Sequence, residues 1–249
     1  MLASATADAI RLARTDLAAV YRLLDQQGLN EGICNHLTAL VPGTTDRFLC
    51  IRYGLLWSEV TASNLVLLDA TGRVLEGEGP VERTAFEIHR AIHLSDPVRH
   101  KCVLHTHMPH ATALCCLHPM ELKMVHQNSC RFYKAVAYDP VFNGLVLDDA
   151  EGSRVAAALG GKSVLLHRSH GVIVCGASVA EAFDNIYYLE RAAQVQLLAM
   201  GSGAPLALIS DETARGVKEQ MDAGKVEWAA QHFEALKRGL MRQDPSYCS

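Results

Sequence analysis

KCVLHTHMPHATALCCLH, residues 101–118, carries most of what this chain says about itself. Its first part, Cys102 to Thr106, reads as an apolar strand running into a turn at His107. Pro109 suits the first turn of a helix, so PHATALCCLH reads as helical. In a strand, residues i and i+2 face the same way, so His105 and His107 converge. Two neutral imidazoles on one face chelate a borderline divalent cation, about 2.0–2.1 Å from each nitrogen for zinc. A third ligand is needed, and His170 in SHGVIVCG is the candidate, at a turn where Gly171 lets the backbone fold tightly. His167, three residues upstream, is its local competitor; in a strand it is expected to point to the opposite face from His170. The chain holds 12 histidines, so spacing alone does not separate a metal site from a packed pair. His36, His89, His93, His110, His118 and His126 also have structural readings, and His232 is read as structural.

Working outward, the pattern is that of one α/β domain spanning residues 1–249. Residues 4–28 place Ile10, Leu12, Ala13, Leu17, Val20, Leu23 and Leu24 at helical spacing, and Gly28 ends the pattern. HLTALV and RFLCIR are strand-like around the PGTTD turn, and VTASNLVLLDATGRVLEG alternates around a turn at 70–72. Residues 83–95 read as a helix. Asp148 or Asp149 caps a helix through Leu159, and SVLLHRSHGVIVCG reads as two strands around a tight turn. Ser178 and Glu181 form a capping box that opens a helix to about Met200. Asp211 or Glu212 begins a last amphipathic helix to about Arg242, and the polar tail after Gln243 is expected to fray.

The composition narrows the class. With 249 residues and 49% hydrophobic content the chain can bury a sizeable core. A net charge of -4 with scattered lysines and arginines argues against nucleic-acid or membrane partners. No apolar run approaches the roughly 20 residues of a membrane span. The first twenty residues carry Asp8 and Asp16 and no apolar core of a signal peptide. The eight cysteines show no CxxC spacing and read as small buried hydrophobes in a reducing compartment. A cytoplasmic location is therefore expected.

The strings GICNHLTALVPG, FLCIRYGLLWSEVTASNLVLLDATG, RTAFEIHRAIH, VLHTHMPHATAL and HGVIVCGASVAEAF resemble, in that order, the class II aldolase/adducin family. The likeness runs from about residue 8 to 200, leaving 201–249 as a C-terminal helical extension. It implies an α/β/α sandwich with a central, mostly antiparallel sheet. It implies His105, His107 and His170 as ligands of a catalytic metal, zinc first and manganese or iron after it. It implies a homotetramer with active sites at subunit interfaces, acting on a small-molecule substrate. The family's adducin branch has lost these histidines and is cytoskeletal, whereas this chain keeps them.

Departures from the family pattern point to the substrate. Sugar-phosphate aldolases of the family carry Ser-Ser-Glu before the helix that holds His89 here, and the corresponding residues are Arg83, Thr84 and Ala85. A one-residue slip would put Phe86 at the Glu position. Glu87 lies about 200° round the helix from Ala85, which leaves Glu82 as the better substitute. The family's Ser-Gly phosphate turn is replaced by Tyr53-Gly54, so a non-phosphorylated substrate is expected, with Arg83 pairing its carboxylate. Asn35 stands where family members use Asn near the substrate; the other reading is a turn Asn satisfying its own backbone. Tyr53 to Trp57 and Phe132 to Tyr138 accommodate an aromatic acid or simply pack the core.

A metal that stabilises an enediolate supports retro-aldol cleavage, which needs a base and an acid, or decarboxylation, which needs only a proton donor. The proton carriers considered are Glu82, His36, Tyr53, His126 and Tyr133. The expectation is a metal-dependent carbon–carbon lyase acting on a small, non-phosphorylated hydroxy- or oxo-acid. The alternatives are a non-haem iron oxygenase on the same histidines and an adducin-like, non-catalytic binding module.

Overall fold

The computed structural model describes residues 2–249. Helix α1 (Leu2–Gln26) buries Leu17, Val20, Tyr21 and Leu24, while Leu12, counted in its apolar stripe, is exposed. Gly28 takes a left-handed φ of 66° and ends the helical run. Strands β1 (His36–Leu40) and β2 (Arg47–Cys50) form an antiparallel pair, followed by β3 (Val66–Asp69) and β4 (Val74–Glu76). Helix α2 (Arg83–Ser95) leads to β5 (Cys102–Thr106) and the short helix α3 (Pro109–Cys115). After a 3-10 turn at Gln127–Phe132 come β6 (Val136–Asp139), α4 (Asp149–Leu159), β7 (Val164–His167) and β8 (Gly171–Gly176). Helices α5 (Val179–Gly201) and α6 (Asp211–Gln243) complete the chain.

The strands make one eight-stranded sheet in the order β4-β3-β2-β1-β5-β8-β7-β6. Every pair is antiparallel except β6 with β7. The central strands β5, β7 and β8 are buried along their whole length, which is why they read as continuous apolar runs rather than alternating ones. Helices cover both faces. Val103, Leu165, Ile173 and Cys175 pack with Ile88 and Ile92 of α2 and Val155 and Leu159 of α4. Leu104, Leu166, Val172 and Val174 belong to the larger core with α1, α3, α5 and Phe233 and Leu240 of α6. The result is the α/β/α sandwich that the resemblance implies.

Local signals act as read. Asp148 caps α4 by accepting from Glu151 N, and Ser210 rather than Asp211 caps α6. The Ser178 hydroxyl accepts from Glu181 N, but the Glu181 carboxylate meets that hydroxyl in place of the Ser178 amide. The tail does not fray. Pro245–Cys248 form a 3-10 turn, Tyr247 is 1% exposed, and Ala62 N donates to Tyr247 O at 2.9 Å. A polar composition hid one aromatic anchor. All eight cysteines are free, five of them buried. No described helix is long and apolar enough to cross a membrane.

Candidate metal centre

β5 ends at Thr106, and His107 follows directly; the turn at 168–170 joins β7 to β8 and carries His170. Pairing of β5 with β8 sets His105 against Ile173 and so brings the turn alongside. The ring centroids lie 5.1 Å apart for His105–His107, 4.7 Å for His105–His170 and 5.0 Å for His107–His170. One nitrogen from each lies within 4.8 Å of the others. Gly171 is needed for a different reason from the one the sequence offered. The left-handed residue of the turn is Ser169, with φ 55°, whereas a Cβ on Gly171 would stand 2.7 Å from His107 Cδ2 and from Thr106 O. Glycine is there so that two ligand-bearing segments can touch.

Hydrogen bonds orient the rings. His105 Nδ1 lies 3.0 Å from Val172 O, and a carbonyl only accepts, so that nitrogen carries the proton and Nε2 the lone pair. His107 Nδ1 lies 2.5 Å from Glu31 Oε2, leaving His107 Nε2 buried without a partner. His170 Nδ1 is likewise buried without a partner. Burial, reinforced by the neighbouring imidazoles, holds His105 far below the ordinary histidine range. Burial also pushes His170 down to about 4, with His167 and His107 adding to the effect. Converging imidazoles with orphaned nitrogens, oriented by a carbonyl and a carboxylate, are the donor set that suits a borderline divalent cation.

Beside the histidines lies a narrow cleft lined by Asn35, His36, Arg52, Tyr53, Gly54, Glu82 and Ala85, among others. Asn35 does not close a turn on itself. Its Oδ1 accepts from His107 N at 3.3 Å, and its Nδ2 is buried without a partner. Glu82 caps α2 by accepting from Ala85 N at 2.8 Å and also takes the Thr84 hydroxyl. Arg83 stands outside the cleft, its side chain 68% exposed and 3.9 Å from Glu87. The cation that lines the cleft is Arg52. Helical geometry explains the difference: Arg83 starts α2 on the side turned away from the sheet.

Three further expectations need correction. His167 does not point away from His170; their centroids are 5.0 Å apart, because residues 168–170 form a turn and the two-residue alternation of β7 does not extend through it. His167 also approaches Asp139, its Nδ1 3.7 Å from Oδ2. Tyr133 donates to Asp211 at 2.6 Å. It lines a cavity with His100, Ser163 and Gly176, at the opposite ends of β5, β7 and β8 from the histidines. His126 caps the 3-10 turn at 127–132, its Nδ1 accepting from Asn128 N. Trp57 is core, packed 5.1 Å from Tyr21 and donating to Asn35 O. Sequence reasoning missed Glu31, an acidic residue before a glycine with nothing to mark it.

The model of the class II aldolase and adducin N-terminal domain matches residues 15–197. An aldolase II superfamily protein from Pseudomonas syringae has 34% identity and a TM-score of 0.90, covering 97% of this chain and 96% of that one. The L-fuculose 1-phosphate aldolase of Glaciozyma antarctica PI12 has 25% identity and a TM-score of 0.82, covering 95% and 92%. Alpha-adducin of Rattus norvegicus is 33% identical over 250 residues, 92% of this chain but 33% of the adducin. The fold, the order of its motifs and these likenesses agree, and the chain belongs to the class II aldolase and adducin N-terminal domain family.

Proposed function

We propose that this chain is a metal-dependent carbon–carbon lyase acting on a small, non-phosphorylated hydroxy- or oxo-acid, by aldol cleavage or decarboxylation. The observation that carries the reading is the pair of buried, partnerless nitrogens, His107 Nε2 and His170 Nδ1, beside His105. These three residues are the proposed ligands, with zinc first and manganese or iron after it. A divalent cation held there supplies Lewis-acid polarisation of a carbonyl or carboxylate oxygen. Asn35 Nδ2 is free to donate to a substrate oxygen, and the Phe142 ring stands 6.2 Å from that of His170.

The cleft favours a substrate without phosphate. Tyr53-Gly54 stands in place of the family's Ser-Gly phosphate turn, and of the residues in place of its paired serines Arg83 has no hydroxyl while that of Thr84 is spent on Glu82. Arg52 replaces Arg83 as the proposed partner of a substrate carboxylate. Glu82 is the proposed proton carrier, with Ala85 at the position of the family's glutamate. His126 and Tyr133, engaged in this chain's own fold, have no proposed proton role at its histidines. A cytoplasmic homotetramer is part of the proposal. Eight free thiols suit a reducing compartment. Val141, Phe142 and Leu145, exposed on the segment whose Phe142 ring neighbours His170, suit a subunit contact next to the site.

The test is elemental analysis of gently purified protein alongside His107→Ala, followed by a turnover panel. About one zinc or manganese per chain, lost in the variant, supports the lyase. Stoichiometric iron with oxygen uptake would replace it by the oxygenase reading. No metal, and none taken up on incubation, would leave an adducin-like binding module. A sugar 1-phosphate as best substrate would overturn the substrate class.

A further inference from the structure

Between the cleft and α2 runs a buried chain of hydrogen bonds whose polarity is fixed at one end. His93 Nδ1 lies 2.6 Å from His100 O. The carbonyl can only accept, so Nδ1 carries the proton and His93 Nε2 the lone pair. Thr38 Oγ1, 2.7 Å from that lone pair, must donate to it. The hydroxyl has one proton, so it accepts from His89 Nδ1 at 2.6 Å. His89 Nε2 then carries a lone pair and accepts from His36 Nδ1 at 2.8 Å. The last ring, His36, is left with its lone pair on Nε2, at the wall of the cleft. All three imidazoles are buried.

His36 Nε2 lies 3.9 Å from Glu82 Oε2, which already accepts from Ala85 N and the Thr84 hydroxyl. That oxygen is already satisfied by two donors, so the lone pair on His36 Nε2 is the acceptor left open at the cleft, and it favours a group bringing a proton. Asn35 in the same cleft has the opposite character. Its Oδ1 is fixed by His107 N, so its buried, partnerless Nδ2 seeks an acceptor.

We propose that the lone pair on His36 Nε2 accepts a substrate hydroxyl, with Asn35 Nδ2 donating to a neighbouring substrate oxygen. The site thereby selects α-hydroxy acids over the matching oxo- and deoxy-acids. Thr38, His89 and His93 are positioning residues that lock His36 in the tautomer able to accept. The inference rests on the proposed substrate class and narrows it to hydroxyl-bearing members.

The test uses the full chain with lactate, pyruvate and propionate as probes, in wild type and Thr38→Val, which breaks the chain of hydrogen bonds and leaves the cleft residues in place. Long-range proton–nitrogen spectra of labelled histidine read the tautomer of His36 without metal or turnover. The expected result is a proton on His36 Nδ1 in wild type and a mixture in Thr38→Val. The margin of lactate over propionate and pyruvate in zinc-incubated protein should fall by about tenfold, the worth of one hydrogen bond. Chelation of lactate by a cation is common to both proteins and cancels in this comparison. Should Thr38→Val not fold, His36→Phe removes the lone pair at the cleft wall outright and should shrink the same margin. A proton on His36 Nε2 in wild type, or an unchanged margin in the folded variants, would overturn the inference. Metal content of the same samples judges the metal reading separately: no metal with the His36 tautomer as expected would sink that reading alone.

Discussion

Glu190 of α5 sits under the first turn of α3, its two carboxylate oxygens accepting from His110 N and Ala111 N, each at 2.9 Å. The carboxylate is buried and meets the positive end of that helix. Because α3 begins just after His107, Glu190 anchors the corner from which that ring projects. Glu190→Ala leaves two amides without their acceptor and should cost about 2–3 kcal/mol. Melting should move down by roughly 5–10 °C, and Glu190→Gln should lose less. A calorimetric scan showing no shift for Glu190→Ala would contradict this.

Gly171→Ala should injure the site more than the fold around it. The new methyl would stand 2.7 Å from both His107 Cδ2 and a backbone oxygen, and neither can yield without moving a proposed ligand. The cost is about 1–3 kcal/mol of overpacking, together with weakened zinc retention against a competing chelator. Retention equal to wild type would show that the close approach is not needed.

Glu31→Ala tests the orientation of His107 alone. The Glu31 side chain is largely exposed, so little stability is at stake. Losing the carboxylate that holds His107 Nδ1 should weaken metal affinity by about 10–100-fold. Chelator competition followed by elemental analysis reads this directly, and an affinity within twofold of wild type (about the scatter of such measurements) would refute it.

Acid should destabilise the metal-free protein before its carboxylates titrate. Burial holds His36 at about 3 and His93 and His170 at about 4, against an ordinary 6.5. Between those values the unfolded chain binds protons that the folded chain refuses. The stability these groups contribute is therefore full above about pH 6.5 and is lost as the pH falls towards 4. Thermal melts should be level above neutrality and decline steadily below it. Melting that stays level down to pH 4 would mean these rings are less buried than the structure has them.

Much of this was legible in the sequence because it was local. Pro109, Asp148 and Ser178 mark helix starts through their own side chains or rings, and Cys102 to Thr106 declares a buried strand by composition. His105 and His107 converge through the pleat of a strand, which spacing alone describes. What stayed hidden depends on register between distant segments. Nothing in Thr38 announces that it will stand between His89 and His93, nor in Glu31 that it will hold His107. Gly171 was found for the wrong reason, since torsion freedom is a local property and the approach of His107 is not. His167 was misplaced because two-residue alternation was carried through a turn.

The docked tail gives the protein a latch. Arg22 of α1 pairs with Asp244 at 3.0 Å, and Ser63 N donates to Ser249 O at 2.8 Å. The residue before it on α1, Tyr21, donates its hydroxyl to Leu37 O and accepts from Leu37 N, bracing β1 next to His36. The last six residues and the cleft thus share one brace, although neither touches the other. A protease that trims the chain after Gln243 should leave the sheet standing yet slacken the strand beside His36, so an affinity handle is better fused elsewhere than onto Ser249.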